Sequence, residues 1–207
     1  MGSLTAQIIE SEHSKSTYTP LQAIIMLNIQ GMNPALSSKS CWKTPYLEEF
    51  IRDTPEFVPF VSVTETWVKQ YNTDGQMTIR NYNLFRTDRR SRIRGGVALY
   101  IHNSIVVDDY WSFDNKFCEV GIAHLKSSST VIIVLYRPQD TSLPNFTDAL
   151  QFIRNHMNSL DDSYTYFITG DFNFPDANWD TFTAGSGCTK ATSDSVRLLF
   201  NLGEISA

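Results

Sequence analysis

Seven short runs of β-branched, aromatic and other apolar residues, each bounded by turn-forming residues, restrict this chain to folds in which strands outnumber helices. They are AIIMLNI at 23–29, FVPFVSVTE at 57–65, NYNLFR at 81–86, GGVALYI at 95–101, CEVGIAHL at 118–125, TVIIVLY at 130–136 and TYFITGD at 165–171. The link from Leu125 to Thr130 is short and rich in Lys and Ser, which suits an antiparallel hairpin. Between the last two runs lies NFTDALQFIRNHMNSL at 145–160, where Phe146, Leu150, Ile153, Met157 and Leu160 share one helical face behind a cap at Asn145. That helix is long enough to cross over a sheet. A second helix is predicted to start at Pro45 and to meet the core with Tyr46, Phe50 and Ile51.

Hairpins mixed with a crossover predict an α/β arrangement of packed sheets with helices outside. The 207 residues are 42% hydrophobic and 13% aromatic, enough for one sizeable core. Residues 1–20 are polar and patternless and are expected to form a disordered leader, followed by a single domain over 21–207. Cys41, Cys118 and Cys188 lack paired spacing, which argues for reduced thiols rather than a disulfide framework or a zinc cage. With no secretory segment and no long apolar span, the expectation is a soluble intracellular protein, nuclear or cytoplasmic, without a membrane partner. Seventeen basic residues against 22 acidic ones leave a net charge of −5, so any contact with nucleic acid has to be local.

Several of the apolar runs close on polar groups. Asp171 and Asn173 follow Gly170, and in an extended chain they share a face while Phe172 and Phe174 enter the core. The same residues also suit a strand leaving the core, with Asp and Asn serving the Pro-rich turn. Glu65 ends a buried run, where a hard oxygen ligand for Mg²⁺ would be held firmly yet reach solvent. Asn28 ends another, and Tyr136 with Arg137 a third. Each alone is commonly a solvated strand end; together they fit phosphate chemistry. RTDRRSRIR carries Arg86, Arg89, Arg90, Arg92 and Arg94, which either grip a DNA backbone or form a solvated loop paired with Asp88. Trp42, Trp67, Trp111 and Trp179 read as packing residues rather than stacking platforms.

In this order, LNIQG, TETW, GGVALYI, YRP and GDFNFPDANW resemble the endonuclease/exonuclease/phosphatase superfamily, and within it the apurinic-type endonuclease domains of non-LTR (LINE-like) retrotransposons. The resemblance runs from residue 24 to about 202. It implies a four-layer sandwich, two packed mixed β-sheets flanked by helices, with the site at one end. It further implies a Mg²⁺-dependent phosphodiesterase (Mn²⁺ being the alternative ion) that nicks DNA to prime reverse transcription. DNA is then the partner, and a full-length element would add a reverse transcriptase. Carried over by position, Glu65 would be the principal metal ligand, with Asn28 supporting the metal and Asp171. Asp171 would orient or deprotonate the attacking water, Asn173 would bind a non-bridging oxygen, and Tyr136 would do likewise or stabilise the leaving oxygen. Arg137 would join the arginine cluster in contacting nucleic acid.

The family also places a Ser-Asp-His segment near the C-terminus, and this sequence contains no Asp-His dipeptide. TSDSVRLLF at 192–200 has Ser193 and Asp194 but reads as a helix on Val196, Leu199 and Phe200. His13, His102, His124 and His156 are remote in sequence from the motifs or lie on the crossover helix. Gln30 also stands where many relatives have an acidic residue. The expectation is a C-terminally truncated chain lacking the family's last strands, with activity lowered by about 10²- to 10⁴-fold for the missing acid–base group. Such a chain would associate through an exposed sheet edge. A catalytically weak or inactive remnant with residual nucleic-acid binding, and another phosphoesterase of the same superfamily, both stay open beside the DNA-nicking reading.

Overall fold

The computed structural model of the chain describes residues 9–10, 24–32, 42–90, 93–175, 177–178, 181, 183–185, 188–200 and 202. Most of the expected leader, together with His13, Cys41, Arg92 and Trp179, lies outside the described residues. In chain order the strands are β1 (Ile9–Glu10), β2 (Ile24–Asn28), β3 (Phe60–Thr64), β4 (Tyr82–Thr87), β5 (Val97–His102), β6 (Asp109–Asp114), β7 (Glu119–Leu125), β8 (Thr130–Tyr136), β9 (Thr165–Asp171), β10 (Ala177–Asn178) and β11 (Thr183–Ala184). The helices are α1 (Thr44–Asp53), α2 (Leu143–Met157) and α3 (Lys190–Phe200).

The strands form two mixed sheets and a small ribbon. One sheet has the order β2-β3-β5-β4, the other β1-β9-β8-β7-β6, and β10 pairs with β11. Each large sheet contains one parallel pair, β2 with β3 and β8 with β9, and every other pairing is antiparallel. Between the sheets lies a core of Phe60, Val97, Leu99, Ile101, Ala123, Ile132 and Val134. A second cluster, on the outer face of the β2-β3-β5-β4 sheet, takes in Leu47 of α1. A third covers the outer face of the other sheet with Phe146, Leu150 and Ile153 of α2 and Val196 and Leu199 of α3. The layers therefore run helix, sheet, sheet, helices, the expected four-layer arrangement. Strands β3, β5, β7 and β8 are mostly apolar and buried along nearly their whole length because both of their faces are covered.

Several expectations need correction. α1 packs through Leu47, with Ile51 partly buried four residues on, whereas Tyr46 and Phe50 are 65% and 43% exposed. One residue is about 100° of helix rotation, so the pair just before Leu47 and Ile51 falls on the flank rather than the core face. α2 starts at Leu143 behind Ser142, and Asn145 sits inside the first turn, donating its amide to Ser142 Oγ at 2.9 Å. α3 starts at Lys190 behind Thr189, whose Oγ1 accepts from the Thr192 N–H at 3.2 Å. Strand β6, DYWSFD, was not expected: it is a half-exposed edge strand whose polar alternation hides it. Ile9 and Glu10, inside the expected leader, pair with Ile168 and Phe167 and extend the sheet beyond β9. No helix among the described residues is long and apolar enough to cross a membrane.

Candidate active site

The two parallel pairs set the site. Parallel neighbours end at the same edge of a sheet, and here Asn28 closes β2, Glu65 follows β3, Tyr136 closes β8 and Asp171 closes β9. Asn28 lies opposite Thr64 and Tyr136 opposite Asp171, so each sheet brings two polar ends side by side. The join across the sheets is made by one side chain: Asn28 Nδ2 donates to Glu65 Oε1 at 2.9 Å and to Asp171 Oδ2 at 2.7 Å. Its Oδ1 accepts from the Gln30 N–H at 3.2 Å. A flipped amide would set oxygen against two carboxylate oxygens, so this orientation is the one the network supports.

Gly170 makes the β8–β9 pairing possible there. Its φ is +142°, and a Cβ would collide with the Leu135 carbonyl oxygen, so only glycine lets β9 approach β8 closely enough to set Asp171 beside Tyr136. Beyond Asp171 the chain turns instead of continuing extended. Asn173 has φ +50° and its N–H donates to Asp171 Oδ1 at 3.2 Å, an Asx-type turn, while its Nδ2 donates to the Arg137 carbonyl at 2.7 Å. Phe172 and Phe174 do enter the core, as expected. The amide of Asn173, however, buttresses the turn rather than facing outward as a free donor.

Left-handed backbone clusters at this end. Gln30, Glu65, Trp67, Arg94 and Asn173 all have positive φ, a conformation that costs non-glycine residues free energy and persists only where surroundings impose it. One consequence was not legible in sequence: Trp67 Nε1 donates to Glu65 Oε2 at 3.1 Å. Glu65 thus has a donor on each oxygen. Lys43, also missed, lays its Nζ on the carbonyls of Ile29 and Gln30 at 2.5 and 3.3 Å, bringing a positive charge to the end of β2.

Electrostatics separates the roles of these groups. Burial raises the pKa of Asp171 above the usual carboxylate value, and the nearby Glu65 charge adds to this, while the bonds from Asn28 and Asn173 oppose it. The Tyr136 hydroxyl is pushed far up, first by burial and then by the Glu65 carboxylate to which it is hydrogen-bonded, so it remains a protonated donor.

Three expected nucleic-acid contacts lie elsewhere. Arg137 is buried: its guanidinium donates to the carbonyls of Phe172, Asn173 and Thr141 at 3.2–3.3 Å and sits 4.2 Å from the Phe174 ring centroid. It pins the turn behind Asp171, its guanidinium donors turned to the protein's own carbonyls. Arg89 is also buried, paired with Glu119. Arg86 is held by Asp74 and Asp88 at 3.0 and 3.6 Å. Of the described cluster, Arg90 and Arg94 remain exposed, and Arg94 lies 5.4 Å over the Trp67 ring. His102 packs against Phe57 and Tyr82, and His124 and His156 pack around Trp111, so none of the three belongs to the strand-end group.

Among the described residues no group of three or more His, Cys, Asp or Glu side chains is placed to hold a metal. The donors present still fit Mg²⁺, which takes one or two carboxylates and fills its remaining positions with water and phosphate oxygens. Glu65 and Asp171 supply hard oxygens on either side of Asn28. Asn28 itself turns nitrogen to both, so in this arrangement its amide spaces the two carboxylates.

No protein-family model and no curated protein matches the sequence. Solved structures do match. One is a 3′ phosphatase, NExo, from Neisseria bound to a product DNA hairpin, at 15% identity and TM-score 0.62 over 86% of this chain and 70% of that one. Another is an AP endonuclease from Archaeoglobus fulgidus, at 14% identity and TM-score 0.58 over 86% and 70%. A third is an endonuclease/exonuclease/phosphatase family protein from Bacteroides thetaiotaomicron, at 12% identity and TM-score 0.53 over 83% and 64%. The chain has the endonuclease/exonuclease/phosphatase fold, and at these identities the likeness extends to the fold alone.

Proposed function

We propose that the chain is a divalent-metal-dependent phosphodiesterase acting on DNA, with Glu65 and Asp171 at its centre. The observation that carries this is the Asn28 amide bonded to both carboxylates across the seam between the sheets. Bound at Glu65, Mg²⁺ or Mn²⁺ would supply Lewis-acid charge to a phosphate oxygen and offset the negative charge that grows during attack. Asp171 is the base: burial and the Glu65 charge raise its pKa, which makes its carboxylate a better acceptor for the proton of an attacking water. Tyr136, protonated and beside Glu65, would turn its one O–H from that carboxylate to a phosphate oxygen when Glu65 binds the metal. Arg90 and Arg94 supply local positive charge against the net −5 of the chain. DNA is favoured as substrate because a solved neighbour of this fold holds a product DNA hairpin, and the motif order favours a retrotransposon-type nicking role.

Supercoiled plasmid incubated with Mg²⁺ tests the reading. Nicking is expected from the parent chain, and Glu65→Ala and Asp171→Ala should each lower it by about 10²- to 10⁴-fold. Nicking that is absent, or indifferent to both substitutions, would leave a non-catalytic remnant of the fold as the better account.

A further inference from the structure

One member of the arginine cluster is buried against a carboxylate. Arg89 is 4% exposed and Glu119 wholly buried; besides the Nε–Oε1 contact, Arg89 Nη2 donates to Glu119 Oε2 at 2.9 Å and to the Phe117 carbonyl at 3.2 Å. The same Glu119 Oε2 accepts the Gly96 N–H at 3.0 Å. Gly95 and Gly96, at φ +76° and +87°, run between this pair and the chain segment that carries Glu65. A Cβ on Gly95 would collide with the Arg89 guanidinium, and one on Gly96 with Thr66 Oγ1, so the two glycines fit only because they have no side chains.

On its other side this strap holds the site. The Gly96 carbonyl accepts the Thr66 N–H at 3.2 Å and the Gly95 carbonyl accepts the Trp67 N–H at 2.8 Å. The opposite edge of the segment is tied down by the amides of Gly31 and Met32, which donate to the carbonyls of Glu65 and Thr66 at 2.7 and 2.8 Å. Between these ties Glu65 and Trp67 take φ +54° and +55°, and Trp67 can donate to Glu65. Arg89 also backs Tyr136: its Cζ lies 5.6 Å from that ring's centroid, and Glu119 is the cross-strand partner of Tyr136.

We propose that the buried Arg89–Glu119 ion pair is a positioning device for Glu65, acting through the Gly95–Gly96 strap to hold Glu65 and Trp67 in their left-handed conformation; this rests on reading Glu65 as the metal-binding carboxylate. A buried ion pair contributes little net stability relative to apolar residues of similar volume, since desolvation offsets its attraction. Its worth here is geometric. The pair fixes where the strap lies, and the strap fixes where a strained carboxylate points.

Two variants and two kinds of readout test this. Glu119→Gln keeps an acceptor for Gly96 but removes the charge, and the double substitution Arg89→Met with Glu119→Leu replaces the pair by apolar volume. Both should keep the parent circular dichroism spectrum, while the amides of Thr66 and Trp67 exchange with deuterium at least about tenfold faster. On plasmid, kcat should fall by about 10- to 100-fold and half-saturating Mg²⁺ should rise, with KM for DNA changed by less than about twofold. If the double variant does not fold, Glu119→Gln and Arg89→Lys carry the test alone. Unchanged exchange at Thr66 and Trp67 in folded variants would overturn the proposal even if the parent enzyme nicks DNA. A parent chain that does not nick would refute the phosphodiesterase reading, and with it the role assigned to Glu65, while the exchange data would still decide whether the strap is held by the pair.

Discussion

Asp171 is costly to ionise where it stands. Burial and the Glu65 carboxylate raise its pKa above the ordinary 3.8, so the folded protein binds that proton more tightly than the unfolded chain. The resulting penalty is absent below the unfolded pKa, grows as pH rises, and is complete above the folded pKa. Asp171→Asn keeps an oxygen for the Asn28 amide while removing the charge, so in metal-free buffer at pH 7 it should raise Tm by about 2–4 °C. That gain should vanish on acidification through the folded pKa, and the variant should nick DNA about 10²- to 10⁴-fold more slowly. Thermal melts across pH with and without the substitution measure it; a lower Tm at pH 7 would mean that the ionised carboxylate stabilises the fold. The acid limb of the activity profile should likewise lie above the ordinary aspartate value, since the base has to be unprotonated.

Asn28, Glu65, Tyr136 and Asp171 were legible because each ends an apolar run, and strand ends in parallel pairs meet. Arg89 and Arg137 were read as phosphate contacts because the sequence does not show depth: the partner of Arg89 lies 30 residues away, and Arg137 is enclosed by Phe146 and Phe174. The Trp67–Glu65 bond needs two departures from extended geometry on either side of Thr66, at Glu65 and again at Trp67, which no alternation pattern predicts.

Among the elements, β8 and β9 run over Thr130–Tyr136 and Thr165–Asp171, the spans read from sequence. For β8 the reason is two-sided burial, which leaves an apolar run with polar punctuation at both ends. For β9 the decisive marker was Gly170. Replacing it with alanine would press a methyl group into the Leu135 carbonyl at a positive φ, so Gly170→Ala should destabilise the protein by about 1–3 kcal/mol or more. Urea denaturation measures this, and a neutral result would mean that β9 can slide away from β8 without loss. Edge strand β6 and the flank of α1 were misread for one physical reason: half-exposed elements carry mixed patterns, and a pattern states amphipathicity more firmly than it states phase.

At the scale of the whole molecule, the site exists only where two sheets meet, so its geometry depends on their registration. Beneath it, Ser62 Oγ of β3 and Thr169 Oγ1 of β9 share a buried hydrogen bond of 2.8 Å, another polar link between the sheets besides the Asn28–Asp171 bond. Removing one hydroxyl leaves the other buried without its partner, so Ser62→Ala should cost about 1–3 kcal/mol, whereas the double substitution with Thr169→Ala should recover part of that loss. Denaturant midpoints of the three variants check this, and a double variant losing the sum of the two singles would show that the hydroxyls act independently.

In the proposed reaction, carboxylates from different sheets serve one phosphodiester. A double-mutant cycle on Mg²⁺-dependent plasmid nicking, with Glu65→Gln, Asp171→Asn and both together, measures it most directly. Groups acting as a unit are strongly non-additive, so the double variant should be little slower than the slower single one. Two losses that multiply, or a parent chain and variants with the same rate, would contradict a shared site.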